Sequence, residues 1–445
     1  MKNKNFSVFF QNKIKKFNKT IQVDSDKSIS IRSFLIGAIS QKTSKIKNIL
    51  ESEDVFSTIQ CLKELGVKIK KVRNKDYSVF GKGLGSLITK KKHICNCGNS
   101  GTLARLLIGI LSTTPNIKVK IKGDHSLNKR NMSKLINLMN EFGAEFYPKN
   151  KFNFPLSMVS SDMPLAINYK AGVSAQLKSA VMLAGLNSFG NTNIIEINKS
   201  RNHTENILLK SSGAISVKKN NIKIYGKKNL QPLNITIPGD PSSAAFFTSL
   251  ALLTKDSFLN IKNVGINPRR IGFYKILKMH GAKIRFTNIK KINNEFIGDL
   301  QVKYSKIRSI KASSEFYPST ADEYPILFVI AALTQGVSIF KGIGDLANKE
   351  SSRAKEMQKI LRQIGVKSIL NKDQIKIYGT NKIKKVNKTV KVKNLGDHRI
   401  CMATSCLSLL TGINSHIKNF ETVNTSSPSY LKLILKLGGK FEIKK

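Results

Sequence analysis

Eight arginines stand at or near the starts of segments with helical spacing, where a helix by itself would exclude them. Arg130 precedes the apolar series Met132, Leu135 and Leu138, and Arg201 precedes Asn206 to Lys210. Arg269 and Arg270 follow Pro268, Arg353 opens the stretch through Met357, and Arg399 follows Gly396-Asp397-His398. Arg32 and Arg105 lie one turn inside their segments, beside Lys27-Ser28 and Gly98-Asn99-Ser100-Gly101-Thr102. A helix start has unsatisfied N–H groups and a partial positive charge, so carboxylates belong there and guanidinium groups do not. The recurrence predicts that bound anions supply the missing countercharge, with guanidinium and backbone N–H groups converging on phosphate or carboxylate. If these helix starts face one cleft, a substrate pair with several negative charges fits it. Asp322, with Glu323, is expected to open a helix after Pro318-Ser319-Thr320, and Glu350 follows Lys349 at another start. A carboxylate among cations stays ionised near neutral pH and is a candidate base. The structural alternatives are a plain N-cap for Asp322 and a first-turn residue for Glu350.

Two kinds of helix must position these residues. Six segments rich in Ala, Leu, Ile and Ser carry little charge and read as helices buried nearly all round: Ser28 to Ile39, Thr102 to Leu111, Ala175 to Leu186, Ser242 to Leu253, Asp322 to Leu333 and His398 to Leu410. Half-exposed helices alternate with them, as Val55, Ile59 and Leu62 show. Six amphipathic stretches end in a glycine followed by a small residue and a strand-like run, at Gly66, Gly143, Gly213, Gly281, Gly365 and Gly438. Glycine suits a helix exit through a left-handed residue. Runs such as Ile235-Thr236-Ile237, Val337-Ser338-Ile339 and Ile375-Lys376-Ile377 alternate as strands do. The spacing is too long for a solenoid. It predicts an α+β protein of two domains, each of three units, with helices inside and sheets outside. Ile237-Pro238-Gly239-Asp240-Pro241 is the sharpest breaker and marks a domain crossover or a ligand loop.

Composition excludes several classes. The chain of 445 residues has 76 basic and 27 acidic residues, a formal charge of +49, spread along its length. Without tryptophan and without aromatic residues interleaved in a basic cluster, this reads as a solvated lysine-rich surface and no nucleic-acid partner is expected. Five cysteines form no CxxC pair, and the six histidines lack ligand spacing, so reduced thiols and no metal are expected. Cys95 and Cys97, two apart in an apparent strand, share a face and read as packing. Gly81-Lys82-Gly83-Leu84-Gly85 lacks the spacing of a dinucleotide fingerprint and reads as a turn. No apolar run spans a membrane and the basic start lacks a secretory apolar core, so a cytoplasmic protein with no membrane partner is expected.

Seven stretches in order carry a specific resemblance: Asp26-Lys27-Ser28-Ile29-Ser30-Ile31-Arg32, Gly98-Asn99-Ser100-Gly101-Thr102, Ser174-Ala175-Gln176-Leu177-Lys178, Pro238-Gly239-Asp240-Pro241-Ser242-Ser243, Asp322-Glu323-Tyr324-Pro325, Lys349-Glu350-Ser351-Ser352-Arg353 and Asp397-His398-Arg399. From about Lys19 to Lys440 the chain resembles the 5-enolpyruvylshikimate-3-phosphate (EPSP) synthases. The resemblance implies the enolpyruvyl transferase inside-out barrel: two domains of three βαβαββ repeats, residues 23–238 and residues 1–22 plus 239–445, with the active site in the interdomain cleft. It implies transfer of the enolpyruvyl group of phosphoenolpyruvate to the 5-hydroxyl of shikimate 3-phosphate, with no cofactor and no metal, by a monomer.

The same resemblance implies that Lys27, Ser28, Arg32, Ser174, Ala175, Gln176, Asp322 and Lys349 contact shikimate 3-phosphate. It places Lys27, Gly101, Arg130, Gln176, Arg353 and Arg399 on phosphoenolpyruvate, with Asp322, Glu350 and Lys27 as the proton-transfer groups. Departures are Asp24-Ser25 in place of the family's Pro-Gly, Ser352 in place of an aspartate, and Asn424 where many members carry lysine. The nearest alternative is the sister transferase acting on UDP-N-acetylglucosamine, which usually has Lys-Asn at the first motif and a cysteine on a mobile loop. Here Ser28 follows Lys27, and no cysteine lies between Cys97 and Cys401. A basic nucleic-acid-binding repeat protein is the reading from a different class; it predicts binding that weakens steeply with salt.

Overall fold

The computed structural model describes residues 5–444 apart from 212, 382 and 384–388. The chain divides into two compact units, Ser25–Pro238 with Lys291–Glu295, and Met1–Asp24, Gly239–Lys290 and Phe296–Lys445. Among the described residues there are six four-stranded sheets.

One pattern of pairing recurs in the sheets. His93–Asn96 runs parallel to Lys118–Lys122, which pairs antiparallel with Leu156–Val159, which pairs antiparallel with Glu145–Tyr147. Asn168–Ala171, Asn191–Glu196, Asn221–Tyr225 and Ile215–Lys218 repeat that order. A parallel pair needs a long crossover, which the helices Gly101–Ser112 and Ala175–Gly185 provide. Three sheets borrow a strand from far along the chain. Asn234–Thr236 lies parallel to Thr43–Lys47, and Asn18–Ile21 lies parallel to Phe258–Gly265. Ser7–Phe10 sits between Ser415–Ile417 and Phe441–Lys444. The sheets also absorb much of the charge: Lys118–Lys122 buries Val119 and Ile121 and turns its three lysines outward.

Three nearly all-buried helices form the centre of each unit. They are Lys27–Ile39, Gly101–Ser112 and Ala175–Gly185 in one, and Pro241–Leu253, Tyr324–Ala332 and His398–Thr411 in the other. Their hydroxyl residues are accommodated by donating to a carbonyl one turn back, as Ser30 does to Asp26, Ser249 to Ala245 and Thr404 to Ile400. The six repeat glycines all have positive φ, between +75° and +100°, as a left-handed helix exit requires.

Several expected helix starts are displaced, and proline sets the largest change. Pro318 sits in the first turn of a short helix, Tyr317–Thr320, and Pro325 in the first turn of the buried Tyr324–Ala332. Proline is tolerated in a first turn and breaks a helix interior, so each one begins its own helix. Asp322 is therefore left in the turn between them and opens neither. Arg353 does open Arg353–Gln363, which leaves Glu350 in the preceding loop. Arg201 precedes His203–Leu208, earlier than expected, and Arg269 and Arg270 lie ahead of Gly272–Met279 instead of in its first turn.

Close helix contact gives a stability test. A Cβ on Gly109 would stand 2.5 Å from the Ala180 carbonyl oxygen, so Gly101–Ser112 and Ala175–Gly185 meet backbone to backbone there. Gly109→Ala should destabilise the protein by about 1–3 kcal/mol, the usual cost of overpacking; an unchanged denaturation midpoint would refute this contact.

Candidate functional site

In the unit Ser25–Pro238, six of the expected contacts gather in the first turns of two buried helices, Lys27–Ile39 and Ala175–Gly185. Asp26 caps Lys27–Ile39 by accepting from the Ile29 N–H at 2.8 Å. Lys27 pairs with Asp54 at 2.9 Å, and Ser28 is half-buried beside it. Arg32 is buried and donates only to neutral oxygens: Thr204 Oγ1 at 2.9 Å, the Ser28 carbonyl at 3.1 Å and Ser179 Oγ at 3.3 Å. Burial lowers its pKa to about 10, which leaves it cationic at neutral pH. Ser179 donates to the Ala175 carbonyl at 2.7 Å, so Arg32 is tied to the helix that Ser174 caps.

Gln176 links that helix to the next. Its Oε1 accepts from Arg105 Nη1 at 2.9 Å, and its Nε2 donates to Thr102 Oγ1 at 3.0 Å. Gly101 lies between two guanidinium groups, for a Cβ there would stand 2.7 Å from Arg105 Nη1 and 2.8 Å from Arg130 Nη1. Arg130 donates from Nη2 to Asn99 Oδ1 at 2.6 Å and to Ser126 Oγ at 3.4 Å, while its buried Nε has no partner. Arg105 and Asn99 join the site although the family motif did not assign them a contact. The misplaced-arginine signal had singled out Arg105.

A buried ionic network supports this side of the unit. Lys178 is fully enclosed and pairs at 2.6 Å with both Glu196 and Glu205. Glu205 follows Thr204, the Arg32 partner, on His203–Leu208. The same short helix is held by Glu295, which meets His203 Nδ1 at 2.8 Å and accepts from Asn206 Nδ2 at 2.9 Å. The only local signal for this network was a lysine in the middle of an otherwise apolar helix.

In the other unit the arginines are ringed by carboxylates. Arg353 is buried and donates to Asp397 Oδ2 at 3.0 Å, to Asp322 Oδ1 at 3.3 Å and to Glu350. Burial pulls its pKa down, but Asp397, Glu350 and Asp322 together raise it and hold the charge. Arg270 pairs with Glu323 at 2.8 Å and approaches Asp240 at 3.4 Å and Asp322 at 3.9 Å. The protein thus supplies much of the countercharge that bound anions were expected to bring to Arg353 and Arg270. Asp322 stands between the two arginines with its side chain 24% exposed, so it can meet a ligand. Lys349 pairs with Asp345 at 3.1 Å, and Tyr317 donates to the same carboxylate at 2.9 Å.

Arg399 differs from its neighbours. Asp397 caps its helix by accepting from the Arg399 N–H at 3.0 Å. The Arg399 side chain is buried, its guanidinium 5.9 Å from the Phe246 ring centre, and its Nε and Nη1 have no protein acceptor. A buried cation with open N–H groups at a helix start can bind an anion. Among the described residues no group of three or more His, Cys, Asp or Glu side chains is placed to hold a metal, and no helix is long and apolar enough to cross a membrane.

With this geometry in view, residues 11–434 match the family model for EPSP synthase (3-phosphoshikimate 1-carboxyvinyltransferase). A 3-phosphoshikimate 1-carboxyvinyltransferase of Petrotoga mobilis is 38% identical over 423 residues, covering 94% of this chain and 97% of its own. One from Zymomonas mobilis is 35% identical over 430 residues, covering 95% and 94%. A solved EPSP synthase from Acinetobacter baumannii superposes with a TM-score of 0.84 at 33% identity, covering 99% of this chain and 100% of its own. The enolpyruvyl transferase NikO of Streptomyces tendae, at 10% identity and a TM-score of 0.75 over 99% of each chain, shares the fold.

The enclosed lysine can be tested without a ligand. Lys178→Met leaves Glu196 and Glu205 buried without their cation, and should cost about 3–5 kcal/mol of stability. A urea transition within experimental error of the parent would show that the network is not a structural keystone.

Proposed function

This chain belongs to the EPSP synthase family, and on that premise we propose that it transfers the enolpyruvyl group of phosphoenolpyruvate to the 5-hydroxyl of shikimate 3-phosphate and releases phosphate. The observation that carries the reading at the level of the site is the pair of anion-ready arginines, Arg399 with open buried N–H groups and Arg130 with an open buried Nε. Two substrates with phosphate and carboxylate groups are the countercharge such groups call for.

The step is an addition followed by an elimination. The 5-hydroxyl oxygen bonds to C2 of phosphoenolpyruvate, and a proton adds to the methylene carbon. From the tetrahedral intermediate the C2–phosphate oxygen bond breaks and a methyl proton leaves, which restores the double bond. Asp322, partly exposed and held by Arg353, is the proposed acceptor of the hydroxyl proton. Glu350 and Lys27 are the proposed partners in the proton transfers at carbon. Arg32, Ser28, Ser174, Ala175, Gln176 and Lys349 take the shikimate phosphate and hydroxyl groups. Gly101, Arg130, Gln176, Arg353 and Arg399 take phosphoenolpyruvate, with Lys27 serving both substrates. The absent side chain at Gly101 lets an anion approach Arg105 and Arg130 closely. The cations stabilise charge that develops in the transition state. Work by a monomer in the cytoplasm, without metal or organic cofactor, completes the proposal.

Phosphate release by the purified protein, given phosphoenolpyruvate with either shikimate 3-phosphate or UDP-N-acetylglucosamine, tests the reading. Release is expected with the first acceptor alone; a folded protein silent with it, or active with the second, overturns the proposal. Asp322→Asn should cut kcat by about 100-fold or more, the range for a lost general base, with circular dichroism unchanged. Parental turnover would remove Asp322 from that role.

A further inference from the structure

One carboxylate in the unit Ser25–Pro238 reaches an arginine of the proposed phosphoenolpyruvate site through an intervening amide. Asp124 lies just past the strand Lys118–Lys122 and caps the short helix His125–Asn128, where its Oδ1 accepts from the Leu127 N–H at 2.8 Å. Its backbone N–H donates to the Gly98 carbonyl at 2.8 Å, which fastens this helix start to the loop that leads to Gly101. Beside that bond Asn99 Nδ2 donates to Asp124 Oδ2 at 2.8 Å, and Asn99 Oδ1 accepts from Arg130 Nη2 at 2.6 Å. A carboxylate only accepts and a guanidinium only donates, so this order admits one orientation of the amide. The Arg130 main chain is held from the same short helix, its N–H donating to the Leu127 carbonyl at 3.1 Å. Both ends of Arg130 therefore trace back to Asp124.

We propose that Asp124 is a positioning residue for Arg130, acting through the amide of Asn99. The carboxylate sets which way the amide points, and the amide oxygen aims the guanidinium so that Nη1 lies against Gly101 while the buried Nε stays open. An amide carries no net charge, and Asp124 is exposed to solvent that screens it. Arg130 is thus aimed without being neutralised, unlike Arg353, to which three carboxylates bond directly. An anion arriving at Gly101 meets an oriented cation with its charge intact. That this anion is phosphoenolpyruvate rests on the function proposed above.

Asp124→Asn keeps a good helix cap, and because the cap needs the oxygen, the new NH2 group turns on Asn99 and donor faces donor. In the full-length protein the KM for phosphoenolpyruvate should rise about three- to tenfold, the effect of one lost hydrogen bond. The kcat and the KM for shikimate 3-phosphate should stay within about twofold of the parent, which a general loss of structure would not allow. Asn99→Ala should give the same split, and adding Asp124→Asn to it should change nothing further, because the relay is already cut. Arg130 is also read without turnover, from its rate of modification by phenylglyoxal mapped by mass spectrometry, which should rise severalfold in either variant. An unmoved KM in an active protein, a modification rate that does not respond, additive effects of the two substitutions, or a kcat that falls as far as the KM rises overturns the proposal. A parent that is silent with both substrates, yet whose Arg130 modification responds to Asp124→Asn, sinks the enzymatic reading and leaves the positioning role standing.

Discussion

A helix buried on every side still begins with N–H groups that no carbonyl of its own can reach, and the arrangement of this chain follows from meeting that need six times. Five of the six central helices begin at a side-chain cap, from Asp26, Ser100, Ser174, Asp240 and Asp397. The sixth begins next to Glu323 with Pro325 in its first turn, where a missing N–H costs nothing. Because polar groups must collect at these ends, the ends are where charge chemistry can be held inside an otherwise apolar core. Gln176 and Arg399 sit two residues past a cap, Arg32 lies in the second turn of a capped helix, and Arg353 opens the helix that packs beside Tyr324–Ala332.

The buried arginines divide by what faces them. Arg353 and Arg270 have carboxylates in hydrogen-bonding or ion-pairing range, so their burial is offset inside the protein. Arg32 has only neutral oxygens as direct acceptors, and Arg399 has N–H groups with none. The desolvation of a buried ion costs several kcal/mol unless a partner is found. The first pair therefore builds a fixed electrostatic frame around Asp322 and Glu350, and the second pair is what an arriving anion would relieve.

The sequence made local geometry legible and distant pairing illegible. The six glycine exits, the buried helices and the arginines at their starts could be read because each depends on neighbours within a few residues. Asp322 was misplaced by a purely local effect, as two prolines seven residues apart divide the segment into two helices with a turn between. Lys178 was seen as part of a motif, but its partners Glu196 and Glu205 lie on other elements, and no periodicity points to them. The partners of Arg353 were individually visible as Asp322, Glu350 and Asp397. That all three carboxylates surround one guanidinium, instead of leaving it for a substrate, needed the fold.

The borrowed strands carry a consequence for synthesis on the ribosome. Ser7–Phe10 emerges some four hundred residues before Ser415–Ile417 and Phe441–Lys444, yet it lies between them. Asn18–Ile21 must likewise wait for Phe258–Gly265. Apart from the five-residue Lys291–Glu295, the unit Ser25–Pro238 is complete once its single continuous stretch is outside the exit tunnel, so it can condense during translation. The other unit must keep Ser7–Phe10 unpaired until Ser415–Ile417 and Phe441–Lys444 have been made, and that interval is when a nascent-chain chaperone has most to protect.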